Sequence, residues 1–325
     1  MRKTMSRRKI KVVSLFSGAG GLDLGFKEAG FQIVWANDFD KDAVDTYKLN
    51  VGSECVCGDI SQIPSSDIPD CDVIVGGFPC QGFSVANTKR NVLDERNKLY
   101  LQYIRILKDK KPKFFVAENV KGILSLGHGE VIKAIVNDFS EVGYDVQYRL
   151  LNAADYGVPQ LRQRVIIVGV RKDLNISFEY PAPSYSQNGE NGLRPWVTVS
   201  DALKNIPDPD GPDADSVPNN DYSKYKMLLN GYLGKRPTNP ERPAPTVTAR
   251  GDRKGGVVVL PHPNGKRRMT VRELAAIQSF PLQFRFSGSR TDCYRQIGNA
   301  VPVLLSKAIA SALKETIEEV SHERK

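Results

Sequence analysis

Short β-rich runs alternate with helically spaced stretches through the first half of the chain. Residues 12–16, Val-Val-Ser-Leu-Phe, predict a strand, and a cluster of glycines separates them from a helix over residues 22–29. Residues 31–36 predict a second strand and residues 40–49 a second helix. Asp72-Val73-Ile74-Val75 and Phe114-Phe115-Val116-Ala117 are apolar runs short enough for strands buried on both faces. Helical spacing returns over residues 99–108 and 131–139. Alternation at this density predicts an α/β fold around a largely parallel sheet.

The pattern weakens after Pro181. Residues 181–263 are rich in Pro, Gly and Asn and show little periodicity, before helices return at 270–278 and 303–317. This organisation predicts a large domain over residues 10–178 and a small, mostly β or irregular domain over 179–269. Residues 270–325 then return to the large domain. Charge sharpens the division. Residues 201–221 hold six Asp and one Lys, whereas residues 222–272 hold twelve Lys or Arg against Glu241 and Asp252, a net of +10.

Across all 325 residues, 46 Lys and Arg face 37 Asp and Glu, a formal charge of +9. A polyanionic partner fits that balance. A hydrophobic content of 40% excludes a disordered chain and a disulfide-stapled miniprotein. No apolar run reaches the roughly 20 residues that a membrane helix needs. The basic start leads into a strand rather than an apolar signal segment, so a cytoplasmic location is expected. Five cysteines form no CxxC pair and only three histidines could add nitrogen ligands, which argues against a zinc site.

Three strand ends carry candidate chemistry. Phe16-Ser17-Gly18-Ala19-Gly20-Gly21 joins a strand to a helix, where glycines admit a ligand to the backbone and helix N–H groups stand free. Asp38, about twenty residues on, is placed to accept from ribose hydroxyls. The dinucleotide fingerprint fails at Asp23, where its third glycine belongs, so a nucleoside site and a plain tight turn both remain open. Asp59 offers an acceptor for an exocyclic amine or serves only its turn. Cys80, in Gly77-Phe78-Pro79-Cys80-Gln81-Gly82, is an aimed nucleophile or a small buried hydrophobe. Glu118 leaves an apolar strand, a setting that favours a protonated, donating carboxyl, or it caps the next helix. Arg162 and Arg164 alternate at strand spacing, to clamp an anion or carbonyl or simply to face solvent.

Taken in order, these motifs resemble the DNA (cytosine-5) methyltransferase family. The resemblance is carried by Phe16 to Gly21, Gly77-Phe78-Pro79-Cys80-Gln81, Glu118-Asn119-Val120 and the Gln160 to Arg164 run. Arg272-Glu273-Leu274 through Phe280-Pro281, and Gln296-Ile297-Gly298-Asn299-Ala300-Val301-Pro302, complete it. It covers nearly all of the chain outside the basic insertion. The fold it implies is a Rossmann-like S-adenosylmethionine-dependent methyltransferase sheet with an inserted target-recognition domain.

The resemblance implies S-adenosylmethionine as cofactor, held by Phe16, Ser17, Gly18, Ala19, Gly20, Gly21, Asp38, Phe39, Asp59, Ile60, Pro79, Leu99, Asn299 and Val301. Asp38 stands where many relatives carry Glu. Cys80 would add to carbon 6 of a flipped-out cytosine, Glu118 would assist at N3, and Arg164 with Arg162 would complete the catalytic set. The Phe78 carbonyl would accept from the exocyclic amine. Residues 81–98 would form a closing lid, with Asn97 where many relatives carry glycine. Gln81, Ser84, Arg96, Thr246, Arg250 and Arg253 would contact double-stranded DNA, the two last through guanine or only through backbone.

A bacterial enzyme follows from this, monomeric, free of metal and membrane, and nucleoid-associated through DNA. A cognate restriction endonuclease acting separately is a partner left open. An RNA-directed branch of the family carries a Cys-Phe-Thr tripeptide that is absent from this chain. Two other classes fit parts of the pattern: a DNA-binding protein without catalysis, which Cys80 and Glu118 oppose, and a nicotinamide-dependent oxidoreductase, suggested only by the glycine turn and Asp38.

Overall fold

The computed structural model describes residues 9–78, 98–224, 236–249 and 259–323. Elements run in the order β1 (Lys11–Leu15), α1 (Gly21–Glu28), β2 (Gln32–Asp38), α2 (Lys41–Asn50), β3 (Cys55–Cys57) and β4 (Val73–Gly76). They continue with α3 (Lys98–Lys110), β5 (Phe114–Val120), α4 (Glu130–Glu141), β6 (Tyr144–Asn152) and β7 (Gln163–Arg171). Then come α5 (Val199–Leu203), α6 (Val271–Ile277), α7 (Arg290–Asn299) and α8 (Val303–Glu323).

Seven strands form one sheet in the order β3-β2-β1-β4-β5-β7-β6. The first five are parallel to their neighbours, as the apolar runs predict. The far edge departs from that expectation, because β7 runs antiparallel to both β5 and β6. Alternate residues of each central strand enter different cores, as the two-residue period of a strand requires. Val12, Val73, Val75, Phe114 and Val116 join Phe26, Tyr47 and Leu313 on one face. Val13, Leu15, Ile74, Phe115 and Ala117 join Tyr103, Ile106, Ile135 and Phe139 on the other. Helices α1, α2 and α8 thus cover one face and α3 with α4 the other. This is the α/β fold expected.

Between residues 172 and 270 the described residues hold little regular structure beyond α5 and a short parallel ladder that pairs Tyr185–Ser186 with Arg194–Pro195. Val199, Ala244, Val247, Leu260 and Met269 nevertheless belong to the same buried cluster as Val12 and Leu313. The last helix returns to the first. Lys307 Nζ lies 3.0 Å from Glu28, and Lys314 Nζ donates to the Ala29 carbonyl at 3.0 Å. Among the described residues no helix is long and apolar enough to cross a membrane.

Strand order reverses between β1 and β4. At such a switch point the loops leaving the two strands diverge and open a crevice at the C-terminal edge of the sheet.

Candidate active site

The crevice is a cavity of about 530 Å³. Phe16 turns the chain out of β1 with a φ of 54°, a left-handed conformation that costs a non-glycine residue about 1 kcal/mol or more. Ser17 N–H donates to the Asn37 carbonyl at 2.9 Å, which ties this turn to the end of β2. The turn ends at Gly21, the first residue of α1. A Cβ there would stand 2.5 Å from the Val301 carbonyl oxygen, so the C-terminal wall can close this tightly only over glycine.

Asp38 ends β2 nearly buried. One carboxylate oxygen accepts from Gly18 N–H at 2.8 Å and the other from Asp40 N–H at 2.9 Å. Burial pushes its pKa above the ordinary carboxylate value, and these backbone donors oppose the shift. Phe39 follows with 72% of its surface exposed at the cavity.

Of the predicted cofactor residues, Phe16, Ser17, Gly18, Ala19, Gly21, Asp38, Phe39, Leu99, Asn299 and Val301 line the cavity. Three others do not. Gly20 packs away from it, against Tyr47 and Val51. Asp59 is exposed and caps a short turn, accepting from Ser61 N–H at 2.9 Å. Ile60 is buried in the core beneath. Pro79, Cys80, Gln81, Ser84, Arg96, Arg250 and Arg253 lie outside the described residues.

The opposite wall is the end of β5. Glu118 lines the cavity, with a carboxylate oxygen 2.7 Å from Arg164 Nε, both side chains largely buried. That ion pair is local to the sheet, because Arg164 enters on the neighbouring strand β7. Asn119 Nδ2 donates to the Phe78 carbonyl at 3.1 Å and so fastens β5 to the segment that follows β4.

Arg162 departs from its expected place beside Arg164. It is fully buried just before β7, and its guanidinium donates to the carbonyls of Val247 at 2.8 Å, Gly298 at 2.8 Å and Ala300 at 3.0 Å. Gln160 joins the same junction, accepting from Val247 N–H at 2.8 Å and donating to Gln278 at 2.9 Å. Thr246 Oγ1 donates to the Leu161 carbonyl at 2.7 Å. At Gly298 a Cβ would overlap the Thr248 carbonyl and the Ala249 amide. Three distant segments therefore meet at one buried point behind the cavity. Local sequence carries no signal of this, because each contact spans about 85 residues or more.

A crevice at the switch point, an acid ending β2 and a wall closed by the returning C-terminal segment define an α/β protein with its candidate site at the C-terminal edge of the sheet. The sequence profile of C-5 cytosine-specific DNA methylase matches residues 10–242 and 219–315. The chain is 42% identical over 347 residues to the Type II methyltransferase M.NgoFVII of Neisseria gonorrhoeae, covering 98% of this chain and 91% of that protein. It is 44% identical over 329 residues to M.FnuDI of Fusobacterium nucleatum, covering 95% of each. The crystal structure of a DNA modification methyltransferase encoded within an Escherichia coli prophage superposes with a TM-score of 0.74 at 30% identity. That match spans 95% of this chain and 100% of the other. The protein belongs to the C-5 cytosine-specific DNA methylase family. It is an enzyme, a DNA (cytosine-5-)-methyltransferase.

Proposed function

We propose that the chain methylates carbon 5 of a cytosine flipped out of a short, specific duplex DNA sequence, using S-adenosylmethionine and a covalent Cys80–carbon 6 adduct. The observation that carries this reading is that Asp38, Phe39 and Asn299 share one cavity with Glu118 across the switch point.

The residues fit the cofactor. Each Asp38 oxygen accepts one backbone N–H and keeps a lone pair for a ribose hydroxyl. The Phe39 ring, exposed at the cavity, offers a face for adenine to stack on. Asn299 and Val301 close over the methionine end. When bound, the cofactor supplies an electrophilic methyl group. We assign no cofactor contact to Gly20, Asp59 or Ile60 from their positions.

Carbon 5 of cytosine is a poor nucleophile until a group adds at carbon 6. The Cys80 thiolate makes that bond, and the electron pair moves to carbon 5. Glu118 donates a proton or hydrogen bond at N3, where charge gathers. Arg164 holds Glu118 in place and meets the O2 carbonyl. Asn119, through the Phe78 carbonyl, positions the segment that leads to Cys80, and that carbonyl keeps a lone pair for the exocyclic amine. After carbon 5 takes the methyl group, a base removes its proton and the thiolate leaves.

Residues 10–178 and 270–325 form the catalytic part in this reading, and residues 179–269 the target-recognition part. Arg162 acts as a strut between them rather than on substrate. Gln81, Ser84, Arg96, Thr246, Arg250 and Arg253 are assigned to DNA. The Type II names of the relatives support a bacterial restriction-modification role, and the reading is completed by a monomeric cytoplasmic enzyme with its endonuclease acting separately.

The test is methyl transfer to unmethylated genomic DNA by wild type and Cys80→Ser, mapped by conversion sequencing beside a transfer RNA control. Protection of cytosines at one short motif, by wild type only, is the expected result. Methylation by Cys80→Ser would remove the nucleophile, and preference for transfer RNA would overturn the substrate.

A further inference from the structure

The cavity wall holds a contact that the chemistry does not use. Asp40 caps α2, one carboxylate oxygen accepting from Asp42 N–H at 3.2 Å. The other oxygen lies 3.0 Å from a terminal nitrogen of Arg295, which is also 3.0 Å from Asp292. Asp40 N–H meanwhile donates to Asp38. Arg295 lies one helical turn before Asn299 on α7, so the two share a face, and both line the cavity. A continuous set of contacts thus runs from Asp38 through Asp40 and Arg295 to the C-terminal wall. Among the described residues lining the cavity, Arg295 is the one cation.

Behind this pair α2 is docked without charge onto α7 and the loop that precedes it. Thr46 Oγ1 donates to Gln296 Oε1 at 2.7 Å and accepts from Ser287 N–H at 2.8 Å. Asn50, one turn further along α2, exchanges hydrogen bonds of 2.8 Å with the Arg285 backbone. Thr46 is fully buried and Gln296 nearly so, whereas the Arg295 side chain is 40% exposed at the rim. The ion pair is therefore the part of this junction that can open while the buried part stays closed.

We propose that Asp40 and Arg295 form a latch that holds the β2–α2 turn against α7 and sets how long the cofactor stays bound. Arg295 is a positioning residue in this scheme. The turn carries Asp38 and Phe39, and α7 carries Asn299, so parting them frees both ends of the ligand. The proposal rests on the cofactor reading given above.

The full chain tests it. S-adenosylmethionine and its neutral product S-adenosylhomocysteine are bound to wild type, Arg295→Ala, Asp40→Asn, the double variant and Arg295→Lys, and dissociation rates are measured by stopped flow. Asp40→Asn keeps an oxygen for the helix cap. Each single variant is expected to release both ligands about fivefold faster. The double variant should be no faster than either single one, and Arg295→Lys should fall between. A purely electrostatic role would shift the two single variants in opposite directions for the cationic ligand and leave the neutral one unchanged. That result, additive effects in the double variant, or wild-type rates in the single variants would each overturn the latch. A wild type that binds neither ligand would overturn the cofactor reading itself.

Discussion

Arg162→Met tests the buried junction most directly. Methionine is unbranched and apolar, and it fills much of the volume of the lost side chain. What it removes is three charge-assisted hydrogen bonds, to the carbonyls of Val247, Gly298 and Ala300. Each such bond is worth about 1.5–3 kcal/mol, although the Ala300 carbonyl keeps a second donor in Gln278 Nε2 at 3.3 Å. Against this, the variant no longer has to desolvate a guanidinium, which returns several kcal/mol. The net loss is about 3–5 kcal/mol, equivalent to a fall of roughly 4–7 °C in melting temperature for a chain of this size. Thermal and urea unfolding of the purified variant give the number. A melting temperature within about 1 °C of wild type would refute the reasoning, since the carbonyls would then have found other partners.

Two further outcomes follow from buried groups. Asp23 is fully buried, accepts from Tyr47 Oη at 3.0 Å, and is pushed up to about 6, chiefly by desolvation. Between about pH 4 and 6 the folded protein keeps a proton that the unfolded chain releases, so stability falls as pH rises through that window. Asp23→Asn should therefore gain on wild type from about pH 4 upward and level off above 6, by up to about 3 kcal/mol in urea titrations. A difference that does not change with pH would contradict this. Gly298→Ala places a methyl group against the Thr248–Ala249 backbone and should cost about 1–3 kcal/mol in the same assay. An unchanged midpoint would mean that α7 and residues 248–249 can move apart.

The central strands are legible in the sequence because burial on both faces demands an unbroken apolar run, as at Val73–Val75 and Phe114–Ala117. The same demand hides direction. The apolar residues of β7 would read alike in a parallel or an antiparallel strand, so the reversal at that edge has no local mark. Strand β6 is harder still, since Gln147, Tyr148 and Arg149 interrupt its apolar residues at an edge where one flank meets solvent. The site divides along the same line. Asp38 and Glu118 are legible from strand ends, where side chains meet the crevice. The Arg162 junction and the Asp40–Arg295 pair depend on segments brought together only by the folded chain, and the charge of each residue alone suggests a surface role.

The cavity draws its floor from residues 15–19 and its roof from residues 295–301, close to opposite ends of the chain. On a ribosome adding roughly 5–20 residues per second, the roof is made roughly 15–60 s after the floor. Throughout that interval the nascent chain can hold the sheet but not the closed cavity. Activity that depends on this cavity is therefore expected only of chains made through residue 301.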